Sequence, residues 1–130
     1  MKQTKILVCG AGGFIGGYMV RELLNQGHQV RAVDIKPQWQ WYQRFDEADN
    51  LTLDLREKAN CYQAVNGYDW VYNFAADMGG MGFIEKNKGL CMLSVLINTH
   101  LLMVARDCGA TRFFYASSAC VCWLQAENYR

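Results

Sequence analysis

The sequence has little that would divide it into domains or place it in a membrane. Its 130 residues contain one proline and no spacer rich in glycine, serine or charge. We therefore expect a single domain, and an apolar content of 52% is enough for a sizeable core. No apolar run reaches the roughly 18 residues of a membrane span, and the N-terminus lacks signal-peptide architecture. These absences predict a cytoplasmic protein that does not bind membranes.

An excess of charge of one sign is also missing. The 13 Lys and Arg residues nearly balance the 12 Asp and Glu residues, and they are dispersed along the chain. Nucleic acids are usually bound by a basic patch or stripe. We therefore predict no nucleic-acid partner.

The 6 cysteines include no Cys-x-x-Cys pair, the spacing typical of zinc and redox sites. We therefore predict no metal site. A free cysteine behaves as a small hydrophobic residue in a core. On this basis we expect four reduced and buried thiols, at Cys9, Cys61, Cys91 and Cys108.

Short apolar runs alternate with segments of helical period, which predicts successive βαβ units and a parallel sheet. Each run is continuous, as expected for strands that are covered on both faces. The predicted strands are Lys5–Cys9, Gln29–Asp34, about Leu51–Leu53, Trp70–Phe74 and Arg112–Ser117. The predicted helices are Phe14–Asn25, Arg56–Val65 and Leu90–Cys108.

A glycine motif joins the first strand to the first helix. Gly10, Gly13 and Gly16 have the spacing Gly-x-x-Gly-x-x-Gly. In a dinucleotide-binding turn, the first glycine permits the tight turn, the second lets the backbone approach a pyrophosphate, and the third lets the helix pack closely. The helix N-terminus at Phe14 and Ile15 offers backbone amides to the anion. The motif, with Gly12 as an additional glycine, predicts a dinucleotide site.

Asp34 closes the second strand about twenty residues after the glycines, where an acid typically binds the adenine ribose hydroxyls. A carboxylate there repels a 2′-phosphate, so Asp34 favours NAD over NADP. The neighbouring Lys36 weakens this preference. The alternative is an exposed, solvated carboxylate without a ligand.

Small residues follow the fourth strand at the sheet edge where α/β folds bind ligands. Ala75 and Ala76 leave room there for a dinucleotide. The next loop can bring bare backbone amides to a sugar or phosphate through Gly79, Gly80, Met81 and Gly82. A flexible glycine loop with core methionines is the alternative.

Polar side chains follow the fifth strand at the same edge. The hydroxyls of Ser117 and Ser118 can hydrogen-bond a hexose, and Cys120 lies two residues further on. The alternative for Cys120 is a buried, inert thiol.

Three segments resemble the GDP-mannose 3,5-epimerase family, a branch of the extended short-chain dehydrogenases/reductases. They are Gly10–Gly16, Asn73–Ile84 and Tyr115–Cys120, and the resemblance extends over about Lys5–Val121. It implies an α/β fold with a Rossmann-type, doubly wound parallel sheet of order 3-2-1-4-5. It also implies NAD as cofactor and a nucleotide sugar of the GDP-mannose type as substrate.

The resemblance implies roles for individual residues. Asp54 and Leu55 match the adenine-contacting segment, although Asp54 could instead be only the N-cap of the next helix. The loop at residues 79–82 would lie over the substrate sugar. Ser118 would support a catalytic tyrosine, and Cys120 would be one of two acid/base groups in an epimerisation at C3 and C5 that follows oxidation at C4.

The chain departs from the family after Val121. The family's Tyr-x-x-x-Lys pair does not occur in it, and residues 122–130 do not match the family pattern. We therefore expect an incomplete NAD-binding domain at residues 1–121, a divergent tail, and no turnover by this chain alone. Two other functions stay open: a different sugar-nucleotide 4-epimerase or dehydratase, and a non-catalytic NAD-sensing module.

The long predicted helix has more apolar residues than one sheet can cover. We therefore expect a homo-oligomer, formed through this helix or through the fifth strand. The helix residues concerned are Leu90, Leu93, Leu96, Ile97, Leu101 and Val104.

Overall fold

The fold follows the predicted alternation of strands and helices. A computed structural model describes residues 3–75 and 88–115, with no description of the side chains of residues 88–94. In chain order the elements are β1 (Lys5–Cys9), α1 (Phe14–Asn25), β2 (Gln29–Asp34), a short 3-10 helix (Gln38–Gln40), β3 (Asp49–Thr52), α2 (Lys58–Val65), β4 (Trp70–Asn73), α3 (Lys88–Asp107) and β5 (Arg112–Tyr115).

The five strands form one parallel sheet in the order β3-β2-β1-β4-β5, which confirms the predicted fold class and strand order. β1 lies at the centre, where Ile6 pairs with Val30 of β2 on one side and with Trp70 of β4 on the other. Because all strands run the same way, their carboxyl ends meet at one edge of the sheet.

The core has two layers, one on each face of the sheet. Ile6 and Val8 of β1 pack with α1, whereas Leu7 and Cys9 pack with α2 and α3. This alternation follows from the opposite directions of successive side chains in a strand. It explains why β1 is a continuous apolar run, since both of its faces are buried.

Some predicted boundaries were wrong by one or two residues. β3 begins at Asp49 because its backbone pairs with Arg31 of β2, and the two side chains form an ion pair of 2.9 Å. β4 ends at Asn73, and α2 begins at Lys58 instead of Arg56. The predicted end of β5, at residues 116–117, lies outside the described part of the chain.

The outer face of α3 carries apolar side chains. Leu101 and Val104 are fully buried against the sheet, and Ile97 packs at the edge of the same cluster. Leu96 is 41% exposed. The predicted excess of apolar surface is therefore present at Leu96, and it also includes the exposed Val95, Leu102 and Met103. Leu90 and Leu93 lie outside the described side chains.

None of the helices in the described ranges is long and apolar enough to cross a membrane.

Candidate functional site

The candidate site lies at the carboxyl edge of β1, β2 and β4. It begins at Gly10, whose φ of +77° falls in the left-handed region that glycine adopts without strain. A Cβ at Gly10 would lie 2.5 Å from the backbone carbonyl of Phe74 and 2.7 Å from the Ala75 nitrogen. Only a residue without a side chain therefore lets the β1 turn pass this close to the end of β4.

Gly16 allows α1 to start directly against this turn. A Cβ there would lie 2.1 Å from the Gly10 carbonyl oxygen. Gly13 is different, because among the described residues a Cβ on it would meet only the Gly10 oxygen at 3.5 Å, an ordinary contact. The space beside Gly13 is therefore open, as it must be if an incoming group is to approach the backbone.

The N-terminus of α1 faces the same space. Gly13 is the N-cap and supplies no side-chain hydrogen bond. The first amides of a helix have no acceptor within the helix, and the helix dipole adds partial positive charge there. Phe14 and Ile15 are 59% and 63% exposed. The end of α1 can therefore bind an anion, as the glycine motif predicts.

Asp34 stands beside this turn at the end of β2 and is almost completely buried. Its Oδ2 accepts the Gly12 amide at 2.9 Å, and its Oδ1 accepts the Lys36 amide at 3.0 Å. The alternative of an exposed, solvated Asp34 is therefore wrong. Each carboxylate oxygen accepts about two hydrogen bonds, so both keep capacity for a ligand hydroxyl.

Trp41 covers the glycine turn from the loop after β2. Its side chain is buried, and its indole N–H donates to the Lys36 carbonyl at 2.9 Å. A Cβ on Gly12 would lie 2.7 Å from Cδ1 of this indole. Sequence reasoning missed the roles of Gly12 and Trp41. The cluster of aromatic residues shortly after Asp34 was the available signal.

Asp54 lies between β3 and α2, where it binds Arg56. Both carboxylate oxygens accept from the guanidinium at 2.8–3.2 Å, and Oδ1 also accepts the Arg56 amide. These side-chain hydrogen bonds lower the pKa of Asp54, so it is an ionised acceptor. The helix N-cap is Glu57, and the N-cap alternative for Asp54 is therefore wrong.

Leu55 points away from this edge. Its side chain is buried in the core cluster with Cys61, whose thiol donates to the Leu55 carbonyl at 3.1 Å. Any contact of Leu55 with a cofactor would therefore involve its backbone.

Asn73, at the end of β4, was also missed by the sequence analysis. It is buried, its Oδ1 accepts the Ala75 amide at 2.9 Å, and its Nδ2 donates to Asn98 of α3 at 3.0 Å. Asn73 thereby ties the chain leaving β4 to α3. Ala75 itself lies beside Gly10, so the structure brings the predicted residues of β1 and β4 together.

Other predicted residues lie outside the described ranges. They are Ala76, Gly79, Gly80, Met81, Gly82, Ser117, Ser118 and Cys120.

The described cysteines are free thiols in the core. Cys9 and Cys61 are buried as predicted, whereas Cys108 is only partly buried, and the side chain of Cys91 is not described. Burial, followed by the nearby charge of Asp54, raises the pKa of Cys61 to about 11. Burial also raises the pKa of Cys9, with smaller effects from Cys61 and Asp34. Both thiols are therefore protonated and unreactive at neutral pH.

The glycine turn, the uncapped start of α1 and the buried Asp34 together define a dinucleotide-binding protein of the Rossmann class. The chain matches the NAD dependent epimerase/dehydratase family over residues 6–124, and it belongs to this family.

Relatives of known activity confirm the predicted resemblance. The chain is 42% identical to GDP-mannose 3,5-epimerase 1 of Oryza sativa subsp. japonica over 121 residues, which cover 92% of this chain and 32% of that protein. It is also 42% identical to GDP-mannose 3,5-epimerase of Arabidopsis thaliana, with the same coverage of both chains. Because the match covers 32% of each of these relatives, the chain spans about a third of their length.

Solved structures show the same fold. UDP-glucose 4-epimerase from Bifidobacterium longum in complex with NAD+ and UDP superposes with a TM-score of 0.73 at 26% identity, over 89% of this chain and 37% of that chain. The complex of Thermus thermophilus UDP-glucose 4-epimerase with NAD also has a TM-score of 0.73, at 24% identity, over 84% of this chain and 36% of that chain. The latter supports the fold alone.

Proposed function

We propose that this chain is the NAD-binding part of a nucleotide-sugar epimerase of the GDP-mannose 3,5-epimerase type. The observation that carries the proposal is the open space beside Gly13, next to the uncapped start of α1 and the buried Asp34. Gly10 and Gly16 have no such space. Of the three motif glycines, Gly13 is the one at which a pyrophosphate must come close to the backbone, and it is the one with open space beside it.

The described residues fit NAD as follows. The amides of Phe14 and Ile15 would hold the pyrophosphate at the start of α1. Asp34 would accept hydrogen bonds from the adenine ribose hydroxyls. Asp54, already bound by Arg56, would share its carboxylate with the adenine amine. When bound, NAD would take a hydride from the sugar and later return it.

The sugar chemistry rests on the 42% identity to GDP-mannose 3,5-epimerases and on the residues that match that family. Oxidation at C4 makes the protons at C3 and C5 more acidic, so a positioned base can remove and return them. Cys120 would hold and move such a proton. Ser118 would support the catalytic tyrosine of a longer form, while Ser117 and the loop at residues 79–82 would contact the hexose. Because a Tyr-x-x-x-Lys pair does not occur in these 130 residues, we propose that they bind NAD without turnover.

A homo-oligomer is also part of the proposal. It rests on the exposed apolar side chains of α3 and on Phe114 and Tyr115 of β5, which are 49% and 37% exposed. Association would remove this apolar surface from water. Sedimentation should show a dimer or larger species at micromolar concentration, and a clean monomer at high micromolar concentration would contradict this part of the proposal.

Calorimetry with NAD and NADP tests the cofactor assignment. We expect weak binding of NAD and weaker binding of NADP, because Asp34 accepts ribose hydroxyls and repels a 2′-phosphate. No heat and no thermal shift at millimolar NAD would contradict the proposal. Tighter binding of NADP than of NAD would contradict the role of Asp34.

The same sample tests the substrate assignment and the lack of turnover. Incubation with GDP-mannose and NAD should yield no epimer and no NADH. A longer form that contains the Tyr-x-x-x-Lys pair, assayed on a panel of GDP- and UDP-sugars, should prefer GDP-mannose. A preference for UDP-sugars would instead favour a sugar-nucleotide 4-epimerase.

A further inference from the structure

We infer that Trp41 determines cofactor specificity, because its indole forms a fixed wall beside the Asp34 carboxylate that excludes a 2′-phosphate. The inference rests on the proposed binding of NAD and adds a second determinant to it. Asp34 alone would discriminate against the phosphate by charge. Trp41 would discriminate by occupying the space that the phosphate needs.

The first step is the position of the wall. A Cβ built on Gly12 would lie 2.7 Å from Cδ1 of Trp41 and 2.9 Å from Oδ2 of Asp34. The indole and the carboxylate therefore face the same point from two sides. Trp41 and Asp34 are each 8% exposed, so both are surrounded almost entirely by protein atoms. Since a ribose 2′-hydroxyl must approach Asp34 to bind it, a larger group at that position would meet the indole.

The second step is the rigidity of the wall. The indole N–H of Trp41 donates to the Lys36 carbonyl at 2.9 Å, which orients the ring. The next amide, that of Tyr42, donates to the Gly12 carbonyl at 2.9 Å. The Tyr42 ring then packs edge-on against Phe14, with 5.1 Å between the centroids. Hydrogen bonds therefore hold this loop to the glycine turn itself, and the indole cannot move aside without breaking one of them.

The third step concerns three N–H groups at this wall, all of which already donate hydrogen bonds within the chain. The amides of Gly12 and Lys36 both donate to Asp34, and the indole N–H of Trp41 donates to a carbonyl. None of these three N–H groups is left for phosphate oxygens. A ribose hydroxyl is itself a donor and can use the remaining lone pairs of Asp34. The arrangement therefore accepts a hydroxyl, whereas the indole takes the space that a phosphate needs and these three N–H groups offer it no hydrogen bond.

The exposed ammonium group of Lys36 allows the effect of the Asp34 charge to be measured separately from that of the Trp41 indole. It lies two residues after Asp34 and would attract a 2′-phosphate once Asp34 no longer repels it. If charge alone decided the preference, removal of the Asp34 charge would be enough to admit NADP. If the Trp41 indole also excludes the phosphate, removal of the Asp34 charge alone allows only weak NADP binding. Removal of both the charge and the indole then allows much tighter NADP binding.

The experiment measures the ratio of the Kd for NADP to the Kd for NAD by calorimetry on the full chain. The variants are Asp34→Ser, Trp41→Ala and the double variant. We expect Trp41→Ala to lower the ratio about tenfold, which corresponds to about 1.4 kcal/mol. We expect the double variant to lower it by more than the product of the two single effects, as for residues that act on one contact.

Trp39→Ala is the matched control. It makes the same change two residues away, at a side chain that is 82% exposed, and it should leave the ratio unchanged. Trp41→Leu retains an apolar anchor while shortening the wall, so it should lower the ratio severalfold even if the alanine variant fails to fold.

The outcomes separate this inference from the proposed function. If the wild-type chain binds NAD and the Trp41 variants have the same ratio of the Kd for NADP to the Kd for NAD, the inference is wrong and the proposed function stands. It is also wrong if Asp34→Ser alone admits NADP as well as the double variant does. If the wild-type chain binds neither dinucleotide, both are wrong.

Discussion

Gly13→Val is expected to abolish NAD binding while the fold stays intact. The backbone at Gly13 is extended, with φ of −85° and ψ of 177°, so valine adopts it without strain. Among the described residues, a Cβ there meets one backbone oxygen at 3.5 Å, so the first carbon of the new side chain fits without a clash. The added side chain would instead fill the space beside the start of α1 that the pyrophosphate needs. We expect affinity to fall at least about a hundredfold, equivalent to about 2.7 kcal/mol.

Two measurements on the same sample check this prediction. Calorimetry reports NAD binding, and thermal unfolding followed by circular dichroism reports the fold. A folded Gly13→Val variant that binds NAD like the wild-type chain would show that the pyrophosphate does not lie at this turn. Loss of both binding and folding would contradict the view that Gly13 is free of structural contacts.

Gly16→Ala, in contrast to Gly13→Val, is expected to destabilise the fold. Its Cβ would lie 2.1 Å from the Gly10 oxygen and 2.8 Å from the Gly10 carbonyl carbon. Both are backbone atoms at the end of β1, so neither can rotate away. α1 would have to move off the sheet. Such overpacking should lower the free energy of unfolding by about 3 kcal/mol or more.

Gly17→Ala is the matched control for this substitution. It makes the same change one residue further along α1, where the nearest contact is the Gln43 side chain at 3.3 Å. A side chain can shift, and alanine favours a helix over glycine by up to about 1 kcal/mol. The unfolding free energy of Gly17→Ala should therefore stay within about 1 kcal/mol of the wild-type value. Equal stability of the Gly16→Ala and Gly17→Ala variants in urea denaturation would contradict the close packing of α1 on the turn.

The first βαβ unit could be predicted from the sequence because its signals are local. The bounds of β1, α1 and β2 are confirmed without change. Gly27, two residues after the last residue of α1, has a φ of +88°, and its amide donates to the Leu24 carbonyl. A left-handed glycine after the last helical turn is a common way to end a helix.

The start of α2 could not be predicted in the same way. The apolar pattern continues back to Leu55, and helical period alone places Arg56 in the helix. In the structure, Asp54 accepts hydrogen bonds from the amide and guanidinium of Arg56, which forms a turn before the helix. Such local side-chain hydrogen bonds compete with helix formation, and residue periodicity does not reveal them.

The residues of the candidate site also divide into those with a local sequence signal and those that depend on long-range contacts. The three motif glycines and Asp34 could be predicted because their spacing is a property of the chain itself. Trp41 could not be separated from Trp39, because both lie in a polar loop and only long-range packing on Gly12 buries one of them. Asn73 could not be assigned because its partner, Asn98, is 25 residues away in the sequence.

Amide chemical-shift mapping of the 130-residue chain with NAD tests the central claim most directly. If the dinucleotide lies on the glycine turn, titration should shift the amide signals of Gly12, Gly13, Phe14 and Ile15, together with that of Lys36 beside Asp34. The amides of α2, on the far side of the sheet from α1, should stay unchanged. Saturable shifts confined to other parts of the chain, or no shifts at millimolar NAD, would contradict the assignment of this edge as the dinucleotide site.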